Sequence, residues 1–242
     1  MSAGIELRDV GKAFVSKKDG SIQKVFDGFS LEAAPGELVA LVGASGTGKT
    51  TLLHLVAGLE TADSGVVRVG ADTGPNRTGM VFQQPRLLDW VSVADNIEIA
   101  AKSAGRSGAD IPELLDAVGL SDYADAYPSV LSGGQRQRVA VARAFAVEPD
   151  VVLFDEPFSA LDELTGRKLR LLLQTLLVER SVTGLLVTHN ALEAAFLADR
   201  VVVLAGRPAS IVGDLRVDLP RPRSTEDATL FDLHREIIAQ IA

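Results

Sequence analysis

A glycine-rich octet at positions 43–50, Gly-Ala-Ser-Gly-Thr-Gly-Lys-Thr, has the residue types and the spacing that phosphate binding requires. It matches G-x-x-x-x-G-K-[ST], in which backbone N–H groups surround a phosphate, the lysine reaches the β- and γ-phosphates and the last hydroxyl binds Mg²⁺. Its glycines let the backbone turn tightly and point several N–H groups at one anion. We therefore predict a nucleotide site at the loop and the residue after it: Gly43, Ala44, Ser45, Gly46, Thr47, Gly48, Lys49, Thr50 and Thr51.

The octet has the flanks that such a loop needs. Residues 37–42, Glu-Leu-Val-Ala-Leu-Val, form a short apolar run that predicts a strand buried on both faces. Residues 51–58 form an apolar helical stretch that ends at a glycine. The N-terminus of this helix adds about half a positive charge beside the anion. The alternative, a glycine-rich turn without function, does not require this order of strand, loop and helix.

Two carboxylates, Asp155 and Glu156, directly follow a second apolar run at 151–154. Ligand sites of open α/β sheets lie at the carboxyl ends of strands, so an acidic pair there suits a hard cation and a water. We predict that Asp155 is a Mg²⁺ ligand, directly or through water, and that Glu156 is the general base for the attacking water. The alternative is a solvated strand end.

Three further residues lie beside predicted strand ends. Gln83 follows the strand at 79–82 and His189 follows an apolar run at 185–188, so both are expected at the ligand edge of the sheet. We interpret His189 as a sensor of the γ-phosphate. Phe14 lies between a strand and a turn, where it either stacks on a base or packs in the core.

Residues 131–135, Leu-Ser-Gly-Gly-Gln, precede a helical pattern at 136–146 and can form a second anion-binding helix end. Ser132 is a good N-cap residue, and the two glycines after it leave backbone N–H groups open. From these residues alone, an ordinary capped helix is the alternative.

The octet and the hydrophobic pattern together predict an α/β fold, a phosphate-loop NTPase core with a mainly parallel sheet. Strand patterns dominate the first part of the chain, where we expect an antiparallel β-subdomain. Helical patterns follow, and strands and helices alternate afterwards, as in βαβ units. We predict one domain over residues 1–242, with a nucleotide-binding core at 1–85 and 149–242 and an inserted helical subdomain at 86–148.

The composition excludes several classes of protein. A hydrophobic content of 47% excludes a disordered chain, and the absence of cysteine excludes disulfides and thiolate metal sites. The net charge of −8, without a stripe of lysine and arginine, predicts no nucleic-acid partner. Because we find no signal segment and no apolar run of about 18 residues, we expect a soluble chain that reaches a membrane only through a partner.

Taken in order, these residues resemble the ATP-binding subunit of an ABC transporter, from Ile5 to about Leu219. The resemblance makes the octet the Walker A loop, 131–135 the signature sequence and 151–155 the Walker B strand. The resemblance also makes Phe14 the A-loop aromatic, a position where tyrosine is commoner, and Gln83 the Q-loop glutamine. It makes Glu156 the catalytic glutamate, residues 159–162 the D-loop and His189 the H-loop histidine.

The resemblance implies ATP and Mg²⁺ as ligands and assigns residues to them. It implies catalytic roles for four residues, Glu156, His189, Gln83 and Lys49, and metal binding by three, Thr50, Gln83 and Asp155. It also implies a head-to-tail dimer with a second copy of the chain. In that dimer the ATP held by one chain is closed over by residues of the other, Ser132, Gly133, Gly134 and Gln135, with Asp162 nearby.

The family further implies partners in a membrane. Transmembrane permease subunits are expected to dock on the loop at 83–90 and the helices after it, at the cytoplasmic face of the inner (plasma) membrane. A periplasmic solute-binding protein is expected in the assembled system. Trp90, the only tryptophan, either lies on this docking surface or packs inside the helical subdomain.

Three segments, 84–90, 155–165 and 218–223, resemble importers of nitrate, sulfonates and taurine. Gln135 departs from this subgroup, in which methionine is frequent, and Asn190 stands where aspartate is usual. Two other functions stay open: a soluble ABC-type ATPase that acts on nucleic acid or a protein complex, and a non-catalytic, nucleotide-gated subunit. Import is favoured over export because separate single-unit chains are typical of bacterial importers.

Overall fold

The computed structural model of the protein describes residues 4–16, 19–70, 76–106, 109–224 and 227–241. Residues 17–21 and 103–108 are polar segments, which predict a turn and a break between two helices, and both lie partly outside these ranges. The strands are β1 (Ile5–Val15), β2 (Ile22–Ala33), β3 (Leu38–Gly43), β4 (Ser64–Val69), β5 (Thr78–Val81), β6 (Val151–Asp155), β7 (Thr183–Thr188), β8 (Arg200–Ala205) and β9 (Ser210–Arg216). The helices are α1 (Lys49–Val56), α2 (Val93–Ser103), α3 (Ile111–Ala117), α4 (Gly133–Ala146), α5 (Glu163–Arg180), α6 (Ala191–Leu197) and α7 (Ala228–Ile241).

The strands form two sheets. A three-stranded antiparallel sheet has the order β2-β1-β4 and contains the N-terminal strands. A six-stranded sheet has the order β5-β6-β7-β3-β8-β9, in which every neighbouring pair is parallel except β8 and β9. The predicted fold class, with a mainly parallel sheet and an antiparallel N-terminal subdomain, is confirmed.

The central strand β3 is buried on both faces because helices or strands cover each side of the six-stranded sheet. Its residues Leu38, Ala40 and Val42 pack into a cluster with α4, α5, α6 and α7. The alternate residues Val39 and Leu41 pack with α1 and with the antiparallel sheet. This two-sided burial explains why the strand reads as a continuous apolar run.

Helices α2, α3 and α4 pack against one another within the predicted helical insertion. Helix α4 also contacts β5 and α5, so it joins the insertion to the core. In the described part of the chain, none of the helices is long and apolar enough to cross a membrane.

The hydrophobic pattern of the sequence predicts neither β9 nor α7. Strand β9 is an edge strand in which only Leu215 is buried, so it lacks the alternation that predicts a half-buried strand. Helix α7 buries Leu230 and Ile237, two turns apart, and packs on α6, β8 and β9.

Candidate functional site

Strand β3 delivers the glycine-rich loop to the carboxyl edge of the six-stranded sheet. Gly46 and Gly48 have φ angles of 79° and 96°, in the left-handed region that favours glycine. A Cβ atom at Gly43 would lie 2.3 Å from the carbonyl oxygen of Leu204 on β8. The loop therefore needs glycine at three positions, twice for backbone conformation and once for close packing.

Lys49 begins α1 and turns back into the loop. Its Nζ donates hydrogen bonds to the carbonyl oxygens of Gly43, at 2.7 Å, and Ala44, at 2.9 Å. Burial lowers the pKa of Lys49, and the nearby carboxylates of Glu156 and Asp155 partly oppose that effect. The ammonium thus lies on the concave side of the loop, where the phosphates of a nucleotide are expected.

The side chains of Asp155, at the end of β6, and Thr50, in the first turn of α1, lie next to each other. The Oγ1 of Thr50 donates a hydrogen bond to Oδ1 of Asp155 over 3.0 Å. Burial is the main cause of a raised Asp155 pKa, which the bond from Thr50 partly opposes. Burial disfavours the charge of this carboxylate, and a hydroxyl oxygen lies beside it. Together the two oxygen donors suit a hard cation.

Glu156 occupies the strained position after β6, with a φ of 44°. Its N–H donates to the carbonyl of Val187, and its carbonyl accepts a hydrogen bond from the Ser159 hydroxyl. Its Oε2 lies 3.2 Å from Nδ1 of His189 and 3.5 Å from Nε2 of Gln83. The structure therefore brings three predicted catalytic residues together at one edge of the sheet.

Gln83 faces Glu156 and Ser159 rather than the pair of Thr50 and Asp155. Its Nε2 donates to the Ser159 hydroxyl over 3.3 Å, in addition to the longer contact with Glu156. Its metal-binding role stays a prediction.

The sequence did not predict that Glu193, on α6, is buried close to the site. Glu193 accepts a hydrogen bond from the Thr188 hydroxyl and forms an ion pair of 3.4 Å with Arg170. Arg170 also donates to Glu163 at the start of α5, and its guanidinium lies 5.9 Å from the ring centre of Phe158. Burial raises the pKa of Glu193. The available signal was a glutamate among the apolar residues of the predicted helix.

Asn190, at a position where the resemblance makes aspartate usual, caps α6. Its side-chain oxygen accepts hydrogen bonds from the N–H groups of Leu192, at 2.9 Å, and Glu193, at 3.3 Å. Its role here is structural, as expected of an asparagine at an N-cap.

The sequence left open whether Phe14 stacks on a base or packs in the core, and the structure shows that it does not pack in the core. It lies on β1 with 39% of its surface exposed. The Nζ of Lys12 lies 4.9 Å from its ring centre, within the range of a cation–π contact. Its ring is therefore available to a ligand.

The predicted second anion-binding helix end is the start of α4, at Gly133 rather than Arg136. Ser132 and Gln135 form a capping box. The Ser132 hydroxyl accepts a hydrogen bond from the N–H of Gln135 over 3.2 Å, and Oε1 of Gln135 accepts one from the N–H of Ser132 over 2.9 Å. Gly133 is exposed, whereas a Cβ at Gly134 would lie 2.3 Å from Cγ2 of Thr165. Within the described ranges, no hydrogen bond joins this helix end to the glycine-rich loop of the same chain.

Two loops near the site are held by side chains. Asp162 caps α5 by accepting from the N–H of Thr165 over 3.0 Å, and hydrogen bonds from the side chain and the backbone of Thr165 lower the Asp162 pKa. Arg143 of α4 donates to the carbonyls of Pro85 and Arg86, each over 2.7 Å, and so holds the segment after Gln83.

Trp90 is 74% exposed, so it does not pack inside the helical subdomain.

A residue that no motif includes lies against the glycine-rich loop. The guanidinium of Arg207, in the turn between β8 and β9, occupies the space beside Gly46, where an added Cβ would lie 1.9 Å from Nη2. Sequence reasoning had no signal for this contact because the turn belongs to no predicted element.

A profile of the ABC transporter family matches residues 26–159, more than half of the chain. The chain belongs to the ABC transporter family. It is 44% identical to the aliphatic sulfonates import ATP-binding protein SsuB 1 of Xanthomonas axonopodis pv. citri (strain 306), covering 99% of this chain and 97% of that protein. It is also 44% identical to SsuB of Mycobacterium sp. (strain MCS), covering 99% and 94%.

Two solved structures of the ATP-binding cassette MJ0796 are similar to this chain. The dimeric post-hydrolysis state bound to ADP and Pi has a TM-score of 0.76 and 28% identity, covering 89% of this chain and all of that one. A second dimeric structure, described as a bacterial ABC transporter cassette, has a TM-score of 0.75 and the same identity and coverage. The predicted family and fold are confirmed, and the chain is an ABC ATPase.

Proposed function

We propose that this chain is the ATP-hydrolysing subunit of an importer for aliphatic sulfonates or a similar small anion. One observation of the site carries the hydrolytic part: Lys49, Asp155, Glu156 and His189 converge on the edge of the sheet where the glycine-rich loop lies. The substrate class comes from the SsuB relatives, which match nearly the whole chain at 44% identity.

ATP is bound by the loop and the residue after it. The N–H groups of 44–51 and the ammonium of Lys49 contact the phosphates, and the base lies against Phe14. The exposed ring of Phe14 and the inward-directed Lys49 support this orientation, with the base and the phosphates at opposite ends of the site.

Mg²⁺ would be held by Thr50, Asp155 and Gln83. Among the described residues no group of three or more histidine, cysteine, aspartate or glutamate side chains could hold a metal ion alone, so phosphate oxygens and water would be needed as further ligands. When bound, the ion neutralises charge that develops on the phosphates. The 3.0 Å pair of Thr50 and Asp155 supports this assignment.

Glu156 acts as the general base in hydrolysis. Its Oε2 accepts a proton from the attacking water, while His189 and Gln83 orient the reacting groups and Lys49 stabilises negative charge. The contacts of 3.2 Å and 3.5 Å from His189 and Gln83 to that oxygen support a shared role.

Hydrolysis requires a head-to-tail dimer. The start of α4, with Ser132, Gly133, Gly134 and Gln135, contacts the γ-phosphate bound by a second copy, and Asp162 lies at the same interface. The absence of a hydrogen bond from this helix end to the loop, in the ranges that the structure describes, supports a site shared between chains. The division into a core, 1–85 and 149–242, and a helical subdomain, 86–148, lets the dimer close.

Dimer closure drives a permease in the inner membrane, fed by a periplasmic solute-binding protein. The cassette contacts the permease from the cytoplasmic face through the loop at 83–90, where Trp90 is exposed. The alternative of a soluble ATPase that acts on nucleic acid lacks a supporting basic stripe.

An ATPase assay of the chain alone and with the permease of the same gene cluster tests the proposal. We expect low hydrolysis alone, stimulation in the complex by receptor loaded with an aliphatic sulfonate, and uptake of that sulfonate by vesicles. Permease-independent turnover stimulated by nucleic acid would contradict the transport function. Stimulation by another solute alone would contradict only the substrate class.

A further inference from the structure

Arg207 is held against the glycine-rich loop by the fold of its turn. The N–H of Ala209 donates to the carbonyl of Val25 on β2 over 2.8 Å, and Ala209 is buried. Val25 in turn abuts the loop, because a Cβ at Gly48 would lie 2.4 Å from its Cγ1. The turn and the loop are therefore anchored to the same strand, and this fixes the backbone position from which Arg207 reaches Gly46.

The guanidinium of Arg207 has no counter-charge within the described ranges, where it makes neither a hydrogen bond nor an ion pair. Arg170 and Arg200 differ from Arg207 in this respect, because Arg170 pairs with Glu163 and Glu193, and Arg200 pairs with Glu37 and Asp214. The N–H groups of such a glycine-rich loop bind an anion. The same anion is the expected partner of an exposed arginine that lies beside the loop and has no carboxylate.

The strand order decides which part of a nucleotide Arg207 can reach. Asp155 ends β6 and His189 follows β7, on one side of β3, whereas Arg207 follows β8 on the other side. Phe14 pairs with Gln23 of β2, two residues before the Val25 that anchors the turn. Arg207 thus lies on the side of Phe14, away from the residues around the γ-phosphate.

We propose that Arg207 is a further nucleotide-binding residue, whose guanidinium contacts the phosphates that ATP and ADP share. The inference rests on the proposed function, since it requires that the loop bind ATP. It adds a second cation, beside Lys49, to the site and explains why a fork-shaped donor lies against Gly46.

Calorimetric titration of Arg207→Gln with ADP and with a non-hydrolysable ATP analogue tests the inference. We expect the Kd of both to rise about tenfold, which corresponds to about 1.4 kcal/mol. Arg207→Lys, which keeps the charge but not the fork, is expected to recover part of the loss. The matched control is Arg235→Gln, because Arg235 is an exposed arginine of α7 that pairs with Asp232.

The two ligands separate the outcomes. Unchanged Kd values in Arg207→Gln, beside normal binding by the wild type, overturn this inference alone. A loss confined to the ATP analogue also overturns it, because the contact would then involve the γ-phosphate. Wild-type protein that binds neither ligand overturns the proposed function and this inference together. A thermal melt of each variant shows whether it is folded.

Discussion

Nδ1 of His189 lies 3.2 Å from Oε2 of Glu156, although the two residues follow different strands. Strands β6 and β7 are hydrogen-bonded neighbours, so their ends bring the two side chains to one point. The side chain of Glu156 is 21% exposed and that of His189 is 60% exposed. The carboxylate is therefore partly shielded and the imidazole beside it is more exposed, an arrangement that fits the proposed role of Glu156 as a general base.

Glu156→Gln should abolish turnover while leaving ATP binding intact. The amide keeps the size of the side chain but cannot accept the proton of water, so kcat should fall by about 10²–10⁴. Because closure no longer ends in hydrolysis, ATP should also trap a dimer that size-exclusion chromatography detects. Normal turnover by this variant would show that Glu156 is not the base.

Lys49→Ala should weaken ATP binding by about tenfold or more, because it removes a charge-assisted contact to phosphate. Equilibrium titration with ATP measures the effect. Lys102→Ala is the control, since Lys102 is an exposed lysine paired with Glu98 at 2.8 Å, and its ATP affinity should match the wild type. Equal affinity in Lys49→Ala would contradict the assignment of the loop.

Gly134→Ala and Gly133→Ala form a matched pair at the start of α4. The added methyl at Gly134 would lie 2.3 Å from Thr165, whereas at Gly133 it meets nothing within 4 Å. We expect the free energy of unfolding to fall by about 1–3 kcal/mol for Gly134→Ala only, because overpacking forces α4 and α5 apart. Denaturant unfolding measures it, and equal stabilities of the two variants would refute the close contact.

Glu193→Gln should change how stability depends on pH. Burial raises the pKa of Glu193 in the folded state above its ordinary value of 4.5, so the folded chain binds more protons than the unfolded chain just above that pH. The stability of the wild type should therefore fall, relative to the variant, as the pH rises from 4.5 through the folded pKa. The glutamine still accepts the bond from Thr188, which keeps the local geometry.

Urea unfolding of both proteins at several pH values measures this difference. A difference that stays constant, or that changes in favour of the wild type as the pH rises, would show that Glu193 is not held in an environment that disfavours its charge.

The sequence determined the family, the fold class and the residues at the strand ends. These features are local: a strand buried on both faces must be a continuous apolar run, as β3 is, and a loop that wraps a phosphate needs glycine at 46 and 48. The same logic placed Asp155, Glu156 and His189 at one edge, because parallel strands end together. Neighbouring apolar runs were sufficient for those predictions.

Only the tertiary structure decided the contacts between distant segments. Arg207 meets Gly46, Arg170 meets Glu193 and Phe14 stays exposed, yet none of these residues carries a local pattern that names its partner. The position of Arg207 depends on strand order and on the turn between β8 and β9. Because burial and pairing of polar side chains arise when separate elements pack, hydrophobic periodicity in the chain does not encode them.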